Sequence, residues 1–150
     1  MWIRRTGWGL IATLSILFCN SAYALEPVYS SFIGGAIRGY DPVAYFTRGE
    51  PVKGSNDFSL EWQDAKWKFS SEENKALFIA NPEKYTPQYG GYCAWAASQG
   101  YTASTDPNAW TIHNGRLYLN YSKSVQQTWS KDIPGNIRKG NTNWPQLLVN

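Results

Sequence analysis

Sulfur and imidazole are scarce in this chain: its 150 residues hold two cysteines, one methionine and one histidine, His113. Charge is sparse as well, with 14 Lys and Arg against 11 Asp and Glu, or 17% of the residues. These shortages exclude a disulfide-dense scaffold, a closed Cys/His zinc cage and a polyelectrolytic disordered chain. Nucleotide motifs are missing too, because Gly34-Gly35 and Gly90-Gly91 stand without the companion residues of a phosphate-cradling loop or dinucleotide fingerprint. No apolar run reaches the roughly 20 residues of a membrane-spanning helix; the longest, Gly7 to Cys19, covers about 13.

That short run has a distinctive setting. Arg4 and Arg5 precede it, and the small-residue pattern Ala22-Tyr23-Ala24 follows. Residues 1–24 therefore read as a secretory signal cut after Ala24, which predicts an exported protein, periplasmic or secreted. A lipid anchor through Cys19 would require a small residue before the cysteine, where Phe18 stands. Cleavage leaves 126 residues with 12 basic and 11 acidic side chains, a net charge of +1. Such a balance gives no long-range attraction to nucleic acid or to an anionic membrane, and no membrane span remains. A single domain over 25–150 has enough length for a hydrophobic core. It must fold without staples, since Cys93 is the only cysteine left.

Residues 25–36 mix polar and glycine positions without a period and read as a connecting arm. Asp41-Pro42 then predicts a short capped helix over Val43, Ala44, Tyr45 and Phe46. Phe58 to Trp62 and Ala65 to Phe69 both alternate apolar with polar residues. With Gln63-Asp64 as a two-residue turn, Phe58 faces Phe69, Leu60 faces Trp67 and Trp62 faces Ala65. Glu61 then lies across from Lys66 on the other face. Ser70-Ser-Glu-Glu73 is a capping-box pattern opening a helix that Asn81-Pro82 stops. A short helical stretch over Tyr92 to Gln99 ends at Gly100. Asn114-Gly115 is a type I′ hairpin signal that pairs Ile112 with Leu117 and Trp110 with Leu119. Thr111, His113, Arg116 and Tyr118 take the opposite face. Ser122 caps a last main helix through Trp129, broken at Pro134-Gly135, and the tail is irregular or weakly helical with Trp144 as an anchor. The expected class is α+β: a small antiparallel sheet built from two β-hairpins, with short helices packed on it.

Several of these stretches resemble the YHS domain in order and spacing. They are Asp41-Pro42-Val43, the Trp67-Lys-Phe69 strand running into a Ser-capped helix, and Asn81-Pro-Glu-Lys-Tyr85. Tyr89-Gly-Gly-Tyr-Cys-Ala-Trp-Ala96, Leu117-Tyr-Leu-Asn-Tyr-Ser122 and Trp129-Ser-Lys-Asp-Ile-Pro-Gly-Asn136 look like the exported bacterial branch of that family. The resemblance spans roughly Gly39 to Pro145. It implies a place beside copper- and heavy-metal-handling proteins, where cysteines after Asp-Pro-Val and at the strand-to-helix corner are the proposed ligands. Here Ala44 follows Asp-Pro-Val43, and the corner is Phe69-Ser70-Ser71. The resemblance therefore supports the fold more than the metal.

Three sets of side chains are candidate sites. Cys93 follows a glycine pair at the start of a short helix, a setting that suits a soft-metal ligand or reactive thiol, and equally a small buried side chain beside Ala96 and Ala97. His113, the one imidazole, is the second metal candidate, although Arg116 across the hairpin is a poor neighbour for a cation. Tyr89, Tyr92 and Trp95 form an aromatic set able to stack on a sugar ring or a partner's side chain, or to wedge a helix onto the sheet. Glu72, Glu73 and Asp41 have structural work at helix starts, so no catalytic constellation emerges. The leading expectation is a binding protein that handles a soft metal such as copper at Cys93, with or without a metal-handling partner. The alternatives are a protein- or glycan-interaction module on the Tyr89, Tyr92 and Trp95 surface, and a thiol enzyme or redox sensor.

Overall fold

The computed structural model describes residues 24–150; the signal peptide expected over residues 1–24 lies almost wholly outside them. Among the described residues, no helix is long and apolar enough to cross a membrane. The class is α+β, with two principal hairpins and six helices among the described residues. In order the elements are β1 (Ser30–Ser31), β2 (Gly35–Ala36), α1 (Ala44–Thr47), β3 (Ser55–Trp62), β4 (Ala65–Phe69), α2 (Glu72–Ala80), α3 (Pro82–Tyr85), α4 (Ala94–Gln99), β5 (Asp106–His113), β6 (Arg116–Asn120), α5 (Lys123–Ser130) and α6 (Ile133–Leu147). The strands pair only within hairpins, so there are three two-stranded antiparallel sheets, β1-β2, β3-β4 and β5-β6. The hairpins meet through side chains, with Trp67 and Phe69 of one and Leu117 and Leu119 of the other sharing a core.

The first principal hairpin follows its alternation close to the turn, where Leu60 pairs with Trp67, Glu61 with Lys66 and Trp62 with Ala65. Gln63 and Asp64 both take positive φ, 49° and 57°, the geometry of a type I′ turn without its usual glycine. The expected pairing of Phe58 with Phe69 does not form. A bulge between Ser55 and Ser59 puts Ser55 opposite Phe69 and Ser59 opposite Lys68, leaving Phe58 half-buried beside the core. Asn114-Gly115 turns the second hairpin as its chemistry requires, pairing Ile112 with Leu117 and Trp110 with Leu119. Both faces of β6 are covered: Leu117 and Leu119 enter the main core, and Tyr118 packs on Trp129 in a second one.

Asp41 organises one corner of the molecule. Its Oδ1 accepts from the backbone N–H groups of Val43 and Ala44, at 2.8 and 3.2 Å. Its Oδ2 accepts from the N–H and hydroxyl of Ser70 at 2.7 and 2.6 Å, and from Asn74 Nδ2 at 2.8 Å. The expected capping box therefore shifts by one residue. Ser71 caps α2 by accepting from the Asn74 N–H, and Ser70 is drawn away to Asp41. Only Phe78 of the apolar residues of α2 is buried, packed against Trp62, Trp67 and Phe69.

The C-terminal segment differs most from expectation. The chain does not break at Pro134-Gly135. Asp132 caps a new helix through the Gly135 N–H at 3.0 Å, Pro134 sits in its first turn, and α6 runs through Pro145. Proline in a first turn replaces an N–H that has no helical partner, so it favours this start. Gly140 has poor helix propensity but allows close packing, because a Cβ there would collide with the Tyr89 phenol. Asn143 reaches across and donates to the carbonyls of Ala97 and Ser98, closing the end of α4. Trp144 is the anchor, 5.9 Å from Tyr89 and 5.8 Å from Tyr92 between ring centroids.

The segment read as a connecting arm is fastened to this body. Val28 is buried, the Tyr29 N–H donates to the Gly90 carbonyl at 2.9 Å, and the Ile37 N–H donates to the Tyr29 carbonyl at 2.9 Å. Gly90, at φ 60°, is required at the crossing, since any Cβ would run into the Pro27 carbonyl.

Candidate functional site: an aromatic and amide-lined cleft

Cys93 lies in the interior. Its residue is 1% exposed and its backbone N–H donates to the Ala103 carbonyl. The thiol donates to Asn120 Oδ1 at 3.5 Å, and the same oxygen accepts the Trp95 N–H at 2.9 Å. This second bond fixes the amide orientation, pointing Asn120 Nδ2 into the interior without a partner. An orphaned Nδ2 is a donor, so it does not call for a cation. Among the described residues, no three His, Cys, Asp or Glu side chains gather where they could hold a metal ion. One thiol beside one amide does not fit a copper or other soft-metal centre within a protomer.

His113 is half-buried at the end of β5, directly across from Arg116. It lines a cavity with Arg116 and Arg138, and Cys93 has no part in that lining. The structure thus sets the two metal candidates in different surroundings. Tyr89, Tyr92 and Trp95 also divide. Tyr89 is 5% exposed, with its hydroxyl donating to Asn141 Oδ1 at 3.1 Å. Burial drives its phenol well above the ordinary range, with the neighbouring Tyr118 adding to the effect. Half-buried Tyr92 donates to the Glu26 carbonyl at 3.0 Å, and burial raises its phenol pKa as well, followed by the charges of Glu26 and Tyr29. Trp95 packs against the Tyr89, Tyr118 and Trp129 core. The three rings therefore hold the arm, α4 and α6 together and do not form one open face.

The rings that do border open space are others. Trp62, at the end of β3, and Trp144, on α6, are both half-buried and line one cleft of about 660 Å³. Several separated stretches build it, chiefly the first hairpin turn with Gln63, the α3-to-α4 connection with Pro87 and Gln88, and the C-terminal part of α6 with Asn141, to which Pro27, Glu83 and Arg116 add. Trp62 is set by edge contacts with Trp67 and Phe78, at 6.1 and 5.5 Å, and Trp144 by its contacts with Tyr89 and Tyr92. Neighbouring rings hold both, so each offers its remaining surface at little entropic cost. The same cleft is lined by three carboxamides, Gln63, Gln88 and Asn141, together with Glu83 and Arg116. Rings supply apolar faces, Gln63 and Gln88 supply paired donors and acceptors, and Asn141, whose Oδ1 accepts from Tyr89, supplies its amide donor, a combination suited to a ligand with both C–H faces and hydroxyls.

Compared with family models, with curated proteins and with solved structures, the chain has no match in any of the three. Sequence reading placed Trp144 as an anchor and Trp62 on a hairpin face but did not join them, because their proximity is a product of α6.

Proposed function

We propose that this is an exported, YHS-like binding module that holds an oligosaccharide in the Trp62–Trp144 cleft and acts by recognition, without turnover. The carrying observation is that two restrained indoles and three carboxamides line one open cleft. Export rests on the signal-like leader, and the family reading on the sequence resemblance described above. A protein partner would favour a deeper, desolvated pocket for an anchor side chain, whereas this cleft is open and rich in amides. The soft-metal reading loses ground because Cys93 is enclosed with an amide for company.

Intrinsic tryptophan fluorescence of the processed protein, titrated with neutral and acidic oligosaccharides, tests this. Saturable change is expected with at least one of them. Gln63→Ala combined with Gln88→Ala should weaken binding about tenfold, since each amide contributes about 0.5–1.5 kcal/mol of net hydrogen bonding. Absence of saturation across the panel, or indifference to the double substitution, would overturn the reading.

A further inference from the structure

A second cavity, of about 390 Å³, lies between the tip of the β5-β6 hairpin and α6. His113 and Arg116 come from the two sides of the Asn114-Gly115 turn, and Arg138 from the first half of α6. No carboxylate lines it. Among the described residues, neither arginine takes part in an ion pair; the one pair present joins Arg48 and Glu50. General basicity does not explain this gathering, because the processed chain carries a net charge of only +1. Two unpaired guanidinium groups facing a concave space, with amides beside them, match the planar geometry of an oxyanion. The cavity also adjoins the cleft described above: Gln88, Arg116 and Asn141 line both.

From this we infer that the second cavity takes an oxyanion borne on the sugar chain, a uronate carboxylate or a sulfate ester, so that the ligand is an acidic glycan. The inference rests on the oligosaccharide reading of the cleft. Trp62 and Trp144 hold the sugar rings, and Arg116 and Arg138 select those that carry a negative group. Exposed arginines are screened by salt, so selection is strongest at low ionic strength.

Calorimetric titration of the processed protein with three oligosaccharides of matched length tests it: an oligogalacturonate, its neutral methyl ester and a sulfated galactan fragment. At least one acidic probe should bind about tenfold more tightly than the ester. In the double variant Arg116→Gln with Arg138→Gln, that preference should fall to about twofold or less. The uronate and sulfate arms separate the two sources of the oxyanion. Equal affinity for all three probes overturns the inference and leaves the oligosaccharide reading standing, as does a preference that survives the double variant. Binding of none of the three overturns the oligosaccharide reading and the inference with it.

Discussion

Replacing Asp41 with asparagine tests whether the corner between α1 and α2 depends on a carboxylate or only on a side chain of that size. Asp41 is fully buried, and its two oxygens accept five hydrogen bonds, from Val43, Ala44, Ser70 (two) and Asn74. An amide keeps one acceptor oxygen. Its NH2 must face either the Val43 and Ala44 N–H groups or the Ser70 and Asn74 donors, so at least two donors lose their acceptor and meet another donor. Hydrogen bonds to a charged group are worth about 1.5–3 kcal/mol each, and stranding buried partners costs a similar amount, so a loss of about 3–5 kcal/mol is expected. In a domain of this size that is a drop in Tm of roughly 10–20 °C. Ser70→Ala, which removes only one hydroxyl donor, should cost about 1–2 kcal/mol. Urea unfolding of the protein, followed by tryptophan fluorescence and circular dichroism, gives both values. If Asp41→Asn stays within about 1 kcal/mol of the parent, the carboxylate is not the organising group and the argument fails.

Alkaline pH should destabilise the fold. Burial raises the phenols of Tyr45 and Tyr89 well above the ordinary value, so the unfolded state begins to ionise near pH ~10 while the folded state keeps these protons. Stability present below that pH is therefore lost as pH climbs past it, and Tyr45→Phe with Tyr89→Phe should flatten the decline; an unchanged slope would refute the assignment. Cys93 should react with a thiol reagent no faster than the protein unfolds, since it is enclosed beside Asn120, and Cys93→Ala should cost about 1–2 kcal/mol. Rapid labelling of native protein would show that the interior position is wrong.

Local chemistry made both principal hairpins legible. Asn114-Gly115 specifies its turn, and the alternation around Gln63-Asp64 set the right register even without glycine. The bulge ahead of Ser59 was invisible because no residue pattern marks it. Asp41 read as a cap, but its remaining partners lie 29 and 33 residues away, beyond any local pattern. The tail reads as irregular or only weakly helical where α6 forms, for a related reason. Gly140 and Pro145 argue against a helix, and what makes the glycine fit there is the Tyr89 ring occupying the space a Cβ at Gly140 would fill. The cleft inherits that difficulty, since its lining comes from several distant stretches and one wall is α6 itself. Tyr89 reads from sequence either as a binding-face aromatic or as a ring wedging a helix onto the sheet, and its burial against α6 favours the second.

Nitrogen-15 chemical-shift mapping of the processed protein during an oligosaccharide titration tests the central claim most directly. Saturable shifts should concentrate at the Trp62 and Trp144 indole N–H groups and at the side-chain amides of Gln63, Gln88 and Asn141. Saturable shifts centred on Cys93 and Asn120, with the cleft silent, would contradict the account.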